Sequence, residues 1–189
     1  LHLLSRRQRQ MCIRDRLRAG RADIAVYPLD TVPKDFHRLE LYQSRRGILV
    51  RQGHPLIKKY EKAGKIELDD LRAFKHVMMN LPGTPELSPA AYQQYAFEVG
   101  ISLPYFLGVP YVLADTDYVY IGPVVTLMHC LRLPDCNLRV LPAPPEVSPF
   151  TPAIIWHHGA HTDPFLQWVR GVLLQSAREE AKRYNAIEI

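Results

Sequence analysis

The sequence contains few cysteines, and their number and spacing exclude a disulfide-stabilised fold. The 189 residues include three cysteines, Cys12, Cys130 and Cys136. The three cysteines are odd in number and lack the paired spacing of zinc motifs. The apolar stretch at the start of the chain is too short for a secretion signal, so a cytoplasmic location is favoured. We expect Cys130 to be a small buried hydrophobe.

Long apolar runs and the short motifs of common catalytic folds are also missing. No stretch of the sequence approaches the roughly eighteen consecutive apolar residues that a membrane span requires. The chain has no G-x-S-x-G elbow, no P-loop and no G-x-G-x-x-G motif. We therefore expect neither a membrane protein nor an enzyme, and we expect no cofactor.

The basic charge is confined to the start of the chain. Six of the 24 Lys and Arg and one of the 19 Asp and Glu lie in residues 1–18, which leaves 18 of each sign in the remainder. The body of the chain is therefore neutral and predicts no nucleic-acid surface. Residues 1–16 also resemble translated sequencing adapters, and we expect them to be a non-native or disordered tail.

The stretch from Leu17 to Pro28 has the pattern of a helix end followed by a short buried strand. Gly20 is suited to close the helix, Ala22 to Val26 is mostly apolar, and Pro28 ends the strand. A short buried strand entered from a helix suggests a parallel sheet covered on both faces, which binds ligands at the carboxyl ends of its strands.

Periodicity and turn residues predict the remaining elements. Residues 57–65 are charged and contain Gly, which predicts a solvated loop. Ser88-Pro89 predicts a helix that runs to Val99, and Asp163-Pro164 predicts a long terminal helix. Further strands are predicted at residues 39–42, 47–50, 77–79, 109–113, 137–141 and 153–156, and further helices at residues 68–74, from Thr116, and at 124–131. The terminal helix has a predicted apolar stripe of Phe165, Leu166, Trp168, Val169, Val172 and Leu173.

Two groups of residues are candidates for binding on chemical grounds. The loop from Asn80 to Thr84 offers an amide, a hydroxyl and a Gly, and a helix starting at Thr116 would present free N–H groups to a carboxylate. Each residue, taken singly, is equally compatible with a turn or a cap. His157, His158 and His161 have a pattern that Zn²⁺ can use, but polar residues at a strand end are the better interpretation, and we expect no metal site.

Several stretches in a fixed order carry a family resemblance. They are L17-x-x-G20-R21-x-D23-I24-A25-V26, L39-E-L-Y42, I48-L-V-R-Q-G-H-P-L56, T116-D-Y-V-Y-I-G-P123, I154-I-W-H157 and D163-P-F-L-Q-W-V-R170. Together they resemble the effector-binding domain of LysR-type transcriptional regulators. The resemblance implies a two-lobed α/β fold of the periplasmic-binding-protein type 2, with crossovers near residues 44–50 and 145–152. Residues 17–46 and 151–189 would form an incomplete lobe one, and residues 47–150 would form lobe two.

The resemblance also implies a function. A small ligand, such as an aromatic compound or another carboxylate, would bind between the lobes and control transcription through a homodimer or homotetramer. DNA binding would belong to an N-terminal helix-turn-helix domain, which is absent here, so we interpret the chain as N-terminally truncated. The alternative is a transport-type solute-binding protein of the same fold. The implied effector-binding residues are Asn80, Thr84, Thr116, His54 and Met79.

Overall fold

The computed structural model describes residues 13–27, 32–79, 89–147, 149 and 151–185, and in these residues helices and strands are interspersed. The strands are β1 (Ala25–Tyr27), β2 (Phe36–Glu40), β3 (Arg46–Arg51), β4 (Lys75–Met79), β5 (Glu98–Leu103), β6 (Tyr120–Pro123), β7 (Leu138–Pro142) and β8 (Ala153–His157). The helices are α1 (residues 13–18), α2 (Pro55–Ala63), α3 (Leu68–Arg72), α4 (Pro89–Gln94), α5 (Val109–Ala114), α6 (Val124–Cys130) and α7 (Pro164–Asn185).

The chain divides into two units. The described residues of unit 1 lie before Ser44 and from Thr151 to Arg183. Its sheet has the order β1-β8-β2, and both pairings are antiparallel. The predicted parallel sheet around the first strand is therefore wrong, because β1 pairs with a strand from the end of the chain whose direction the apolar pattern does not encode.

Helices cover both faces of the unit 1 sheet. The side chains of β8 alternate between these two faces. Ile155 packs with Leu17 of α1 and with Phe36 on one face. Ile154 and Trp156 face the other side. On that side they pack against Leu173, Leu174 and Ala177 of α7.

The described residues of unit 2 lie between Ser44 and residue 149, together with Tyr184. β3 is the central strand of an antiparallel sheet with the order β6-β3-β7, and β4 pairs with β5 in parallel. Ile48 and Val50 pack in one apolar cluster and Leu49 in a second, as expected for a strand buried on both faces. The predicted strands at residues 47–50, 77–79 and 137–141 are confirmed.

The segment predicted as a solvated loop at residues 57–65 is the helix α2. His54 caps its first turn, Pro55 occupies a position where a missing N–H costs nothing, and Gly64 ends it at φ +70°. Leu56 and Ile57 are buried. The many charged residues belong to the exposed side of an amphipathic helix, and their number concealed its short apolar face.

The region around residues 109–119 also differs from the prediction. Residues 109–113, predicted as a strand, belong to α5, in which Pro110 lies in the first turn and is compatible with a helix. The prediction of a helix starting at Thr116 is wrong. The chain leaves α5 at Ala114, and the next element is the strand β6 from Tyr120. Val119 instead bridges to His76 of β4, and Tyr120 pairs with Leu49 of β3.

Helix α4 is shorter than predicted. It ends at Gln94, and Ala96 follows with φ +56°. The Phe97 N–H donates to the Tyr92 carbonyl at 2.9 Å, which is the 6→1 hydrogen bond of a Schellman motif. β5 then begins at Glu98, within the stretch that was predicted to be helical up to Val99.

The terminal helix starts as predicted, but half of its predicted stripe points to solvent. Asp163 caps α7 by accepting the Leu166 N–H at 2.9 Å. Phe165, Trp168 and Val172 are exposed. The side of α7 that faces the sheet begins about one turn after Phe165, at Arg170. Arg170 is buried, and its guanidinium stacks on the Trp156 ring.

Candidate functional site

Strands β4 and β5 end at the same edge of unit 2. They are parallel, and Met79 at the end of β4 lies opposite Leu103 at the end of β5. Ligands of α/β proteins commonly bind at such carboxyl ends. Asn80 follows Met79 in the chain, and Thr84 comes four residues after Asn80. Both lie outside the described residues. The Met79 side chain itself is buried in the apolar core.

The segment after β5 presents large side chains to solvent at this edge. Tyr105, Leu107 and Tyr111 are 74%, 80% and 60% exposed, and we call them the edge side chains. Phe106 between them packs against Tyr120 with ring centroids 5.7 Å apart, which anchors the segment. Leu107 and Tyr111 are four residues apart in a helical stretch and share a face. Neighbouring exposed apolar side chains are typical of an interaction site.

Thr116 lies near the other end of β4. Val119 bridges in parallel to His76, so the residues before Val119 extend beyond the amino end of that strand. The Thr116 hydroxyl donates to the Val112 carbonyl at 2.7 Å and accepts the Tyr118 N–H at 3.3 Å. Thr116 thus closes the end of α5, and no helix N-terminus is present there to attract an anion.

His54 is buried near Thr116 and has structural partners. Its Nδ1 accepts the Leu56 N–H at 3.1 Å, and its Nε2 lies 3.2 Å from the Asp117 carbonyl, to which it donates in the corresponding tautomer. The ring packs against Phe74 with centroids 4.5 Å apart. Burial holds the pKa of His54 below its usual value, although the Asp117 carbonyl opposes this effect.

The three predicted site residues that the structure describes therefore fall into two groups that it does not bring together. His54 and Thr116 lie at the amino end of β4, whereas Met79 lies at the carboxyl end, four residues or roughly 13 Å along the strand. Sequence reasoning did not recognise the edge side chains as one group, because it interpreted Val109–Leu113 as a strand. Pro110 was the available signal, since Pro is common in the first turn of a helix.

The tyrosines of unit 2 lie in different environments. Tyr92 and Tyr120 are buried, and burial raises the pKa of both hydroxyls. The Tyr92 hydroxyl donates to the Val77 carbonyl at 3.2 Å. Tyr105 and Tyr111 are exposed, and they are the two tyrosines among the edge side chains.

Three histidines of unit 1, His37, His158 and His161, form a stacked cluster. His37 Nε2 and His158 Nδ1 are 3.0 Å apart, and the His37 ring stacks on that of His161 with centroids 4.0 Å apart. Trp156 donates from Nε1 to His161 Nδ1 at 3.3 Å. Stacked rings hold their nitrogens in separate planes, so the nitrogens do not converge on one point. In the described parts of the chain, no three His, Cys, Asp or Glu side chains are arranged to hold a metal ion.

A sequence profile of the LysR substrate binding domain matches residues 11–178, which is most of the chain. The chain belongs to the LysR substrate-binding domain family. The resemblance identified from the sequence is thereby confirmed. Residues 13–16, which the sequence analysis left out of the fold, lie within the matched range and belong to α1, where Ile13 packs against the core of unit 1.

Several characterised members of the LysR family are similar to this chain over most of its length. The HTH-type transcriptional regulator SyrM of Rhizobium meliloti is 26% identical over 169 residues, which cover 85% of this chain and 48% of SyrM. The HTH-type transcriptional activator NahR of Pseudomonas putida is 25% identical over 178 residues, which cover 88% of this chain and 54% of NahR. The chain thus spans about half the length of these relatives.

Solved structures of LysR-family regulators share the fold. The regulatory domain of MexT, a transcriptional activator in Pseudomonas aeruginosa, matches with a TM-score of 0.67 at 22% identity, over 85% of this chain and 76% of that one. A cysteine mutant of OxyR from Corynebacterium glutamicum matches with a TM-score of 0.71 at 14% identity, over 92% of this chain and 54% of that one. The expected α/β fold of the periplasmic-binding-protein type is confirmed.

The relatives of this LysR-family chain are transcriptional regulators rather than enzymes. Among the described helices, none combines the length and the apolar character that crossing a membrane would require.

Proposed function

We propose that this chain is the effector-sensing part of a LysR-type transcriptional regulator, whose DNA-binding helix-turn-helix belongs to the parent protein. The observation that carries this proposal is the family match over residues 11–178, together with relatives that are named as HTH-type regulators. These relatives favour a regulator over a transport-type solute-binding protein.

The effector is a small organic molecule, and the carboxyl edge of β4 and β5 supplies contacts to it. This edge combines the chain that leads to Asn80 and Thr84 with the exposed side chains of Tyr105, Leu107 and Tyr111. Tyr supplies apolar area with a polar hydroxyl, so the edge suits a ligand with an aromatic or aliphatic body and a polar group. His54 and Thr116 stay in the proposal only as residues to be tested.

Sensing requires that the ligand prefers one arrangement of the regulator over another. A ligand shifts such an equilibrium only by its difference in affinity for the two states, which is typically worth about 1–3 kcal/mol. The parent protein, as a homodimer or homotetramer, would convert this difference into altered transcription. No bond is made or broken in this process.

The test is a thermal-shift titration of the chain against small aromatic and aliphatic carboxylates and their neutral amides. Binding to the folded state stabilises it by RT ln(1 + [L]/Kd), so an effector produces a saturable rise in Tm. We expect such a rise for one chemical class, and we expect Tyr105→Ala and Thr84→Ala to reduce it. Both Tyr105 and the control residue Phe165 are exposed aromatics, so Phe165→Ala in unit 1 should bind like the unmodified chain.

The same titration tests whether Thr116, at the amino end of β4, contacts the ligand. Because Thr116 closes the end of α5 away from the edge, Thr116→Ala should lower the Tm of the free chain but leave the ligand-induced rise intact. A ligand response lost in Thr116→Ala and retained in Tyr105→Ala would move the site to the amino end of β4. The absence of a saturable rise with every compound would remove the support for ligand sensing.

A further inference from the structure

Four rings of unit 1 form two hydrogen-bonded pairs that lie against each other, and we call them the ring cluster. Trp156 and His161 make one pair, in which the indole Nε1 donates to His161 Nδ1 at 3.3 Å and the ring planes differ by 1°. His37 and His158 make the other pair, with His37 Nε2 3.0 Å from His158 Nδ1. The His37 ring stacks on the His161 ring with centroids 4.0 Å apart, which joins the two pairs.

The ring cluster connects three segments of unit 1. His37 belongs to β2, Trp156 belongs to β8, and His158 and His161 lie in the short segment between β8 and α7. The His158 N–H also donates to the Asp35 carbonyl at 2.9 Å, so the backbone holds this segment beside β2 independently of the rings. Opening of the side-chain contact is therefore compatible with an intact sheet.

The hydrogen bonds of the ring cluster limit how many protons it can hold. An indole N–H can only donate, so His161 Nδ1 carries no proton in this arrangement. Between His37 Nε2 and His158 Nδ1 there is room for one proton, because two N–H groups facing each other at 3.0 Å would repel. A proton on His161 Nδ1 thus removes the acceptor of Trp156, and full protonation of both His37 and His158 breaks their hydrogen bond.

The charge that packs on the ring cluster from α7 is positive. Arg170 is buried and places its guanidinium 4.4 Å from the centre of the Trp156 ring. It donates to the carbonyls of Ala160 and His161 at 3.2 and 2.9 Å, which are neutral acceptors. Burial, and then the charges of His161, His158 and Arg170, hold the pKa of His37 below its usual value.

The carboxylates around the ring cluster have other partners. Asp35, before β2, accepts from Arg18 through both oxygens at 2.6 and 3.2 Å. Glu40 at the end of β2 pairs with Arg38, and Asp163 caps α7. Among the described residues, none of these carboxylates forms an ion pair with a histidine of the ring cluster, so added protons are not compensated there.

We propose that the ring cluster is a pH-dependent contact, which holds β2 to the segment before α7 near neutral pH and opens locally in mildly acidic solution. Opening separates the ring pairs, so the histidines can take up protons that the closed contact excludes. The stability of the closed contact is therefore complete above about pH 6.5 and is lost as the pH falls. The contact lies in unit 1 and does not rest on the function proposed above.

The indole N–H resonance of Trp156, recorded by NMR between pH 7.5 and 5, tests this contact directly. The chain has two tryptophans, and Trp168 is exposed and serves as an internal reference. Trp168→Phe assigns the two signals. We expect the Trp156 resonance to move towards the position of a water-exposed indole with a midpoint below about pH 6.5, while the Trp168 resonance stays constant.

Three variants identify the groups that cause the movement. His161→Phe keeps a ring beside His37 but removes the acceptor, so the Trp156 resonance should have the open position already at pH 7.5. His37→Phe removes a ring that takes up a proton on opening, so at pH 5.5 the Trp156 resonance should lie closer to the closed position than in the unmodified chain. His157→Phe is the matched control, because His157 lies near Asp35 rather than in the ring cluster, and it should titrate like the unmodified chain.

A Trp156 resonance that stays constant from pH 7.5 to 5 would overturn the proposal. Equal pH dependence in His37→Phe and in the unmodified chain would do the same. Movement of both indole resonances with one midpoint would also overturn it, because this would show general unfolding rather than local opening.

Discussion

At the scale of single residues, His54 joins two segments of unit 2. It accepts the Leu56 N–H and donates to the Asp117 carbonyl from inside the core. His54→Ala leaves both backbone groups without these partners, and we expect the free energy of unfolding to fall by about 2–4 kcal/mol. Urea unfolding monitored by circular dichroism measures this change.

His54→Asn is the matched control for this prediction. An Asn oxygen at the same position is a good acceptor for the first turn of α2, but it does not reach the Asp117 carbonyl. We expect about half of the destabilisation. A loss below about 0.5 kcal/mol for His54→Ala would show that the two hydrogen bonds contribute little.

Stability should also depend on pH through the buried histidines. His76 is fully buried, its Nε2 lies 2.9 Å from the Leu71 carbonyl, and burial lowers its pKa, as it does for His54. As pH falls below about 6.5, the unfolded chain binds protons before the folded chain does, so stability present above that pH is lost. The slope is at most about 1.4 kcal/mol per pH unit for each histidine.

Unfolding measured between pH 7.5 and 5 tests this dependence, because the lowered pKa values of Asp35 and Asp70 act only at lower pH. His76→Phe retains a ring to stack on Phe97, and it should reduce the slope. An unchanged slope in His76→Phe, or stability that rises as pH falls, would contradict this assignment.

The two cysteines in unit 2 should be inert in the folded chain. Cys130 and Cys136 are buried free thiols, and burial with Cys136 nearby raises the pKa of Cys130 to about 11. At pH 8 roughly one Cys130 in a thousand is a thiolate, which is the reactive form. In a Cys12→Ser background, we expect a disulfide reagent to label two thiols promptly in urea and neither within minutes in buffer. Rapid labelling in buffer would show that this part of the core is open.

At the scale of elements, the ends of α4 and α2 form a matched pair. Ala96 and Gly64 both have positive φ, +56° and +70°; Gly64 directly follows α2, and Ala96 lies two residues after the end of α4. Glycine adopts this conformation without the steric cost of a Cβ. Ala96→Gly should therefore raise the free energy of unfolding by about 0.5–1 kcal/mol, and Gly64→Ala should lower it by a similar amount. Equal signs for the two substitutions in urea unfolding would contradict the assigned backbone geometry.

The elements also show where sequence reasoning succeeded. Strands with continuous apolar runs, such as β3, and the capped start of α7 at Asp163 were predicted, because local residues determine them. α5 was not predicted, because a short apolar stretch fits a strand or a helix and the choice depends on its packing against β3 and β7. Antiparallel pairing of β1 with β8 depends on residues more than a hundred positions apart, which local patterns do not record.

The candidate site illustrates the same limit. Met79 was correctly placed at the end of a strand, but His54 and Thr116 were grouped with it from the order of motifs alone. Only the parallel bridge between His76 and Val119 reveals that they lie at the opposite end of β4. The edge side chains could have been grouped from the sequence if Pro110 had been interpreted as part of a first helical turn.

At the scale of the whole molecule, the chain belongs to the LysR substrate-binding domain family and spans about half the length of relatives such as SyrM and NahR. Its charge outside the first 18 residues is balanced, which fits a sensing part better than a DNA-binding part. We propose that a small organic ligand binds at the carboxyl edge of β4 and β5.

The most direct measurement is a map of amide chemical shifts during titration with the compound that raises Tm most. We expect the largest changes, saturating with one dissociation constant, in residues 79–84 and 104–111. Phe165→Ala should leave this pattern unchanged, and Tyr105→Ala should weaken the binding. Saturating changes that instead surround His54 and Thr116, with residues 104–111 unaffected, would contradict a binding site at this edge.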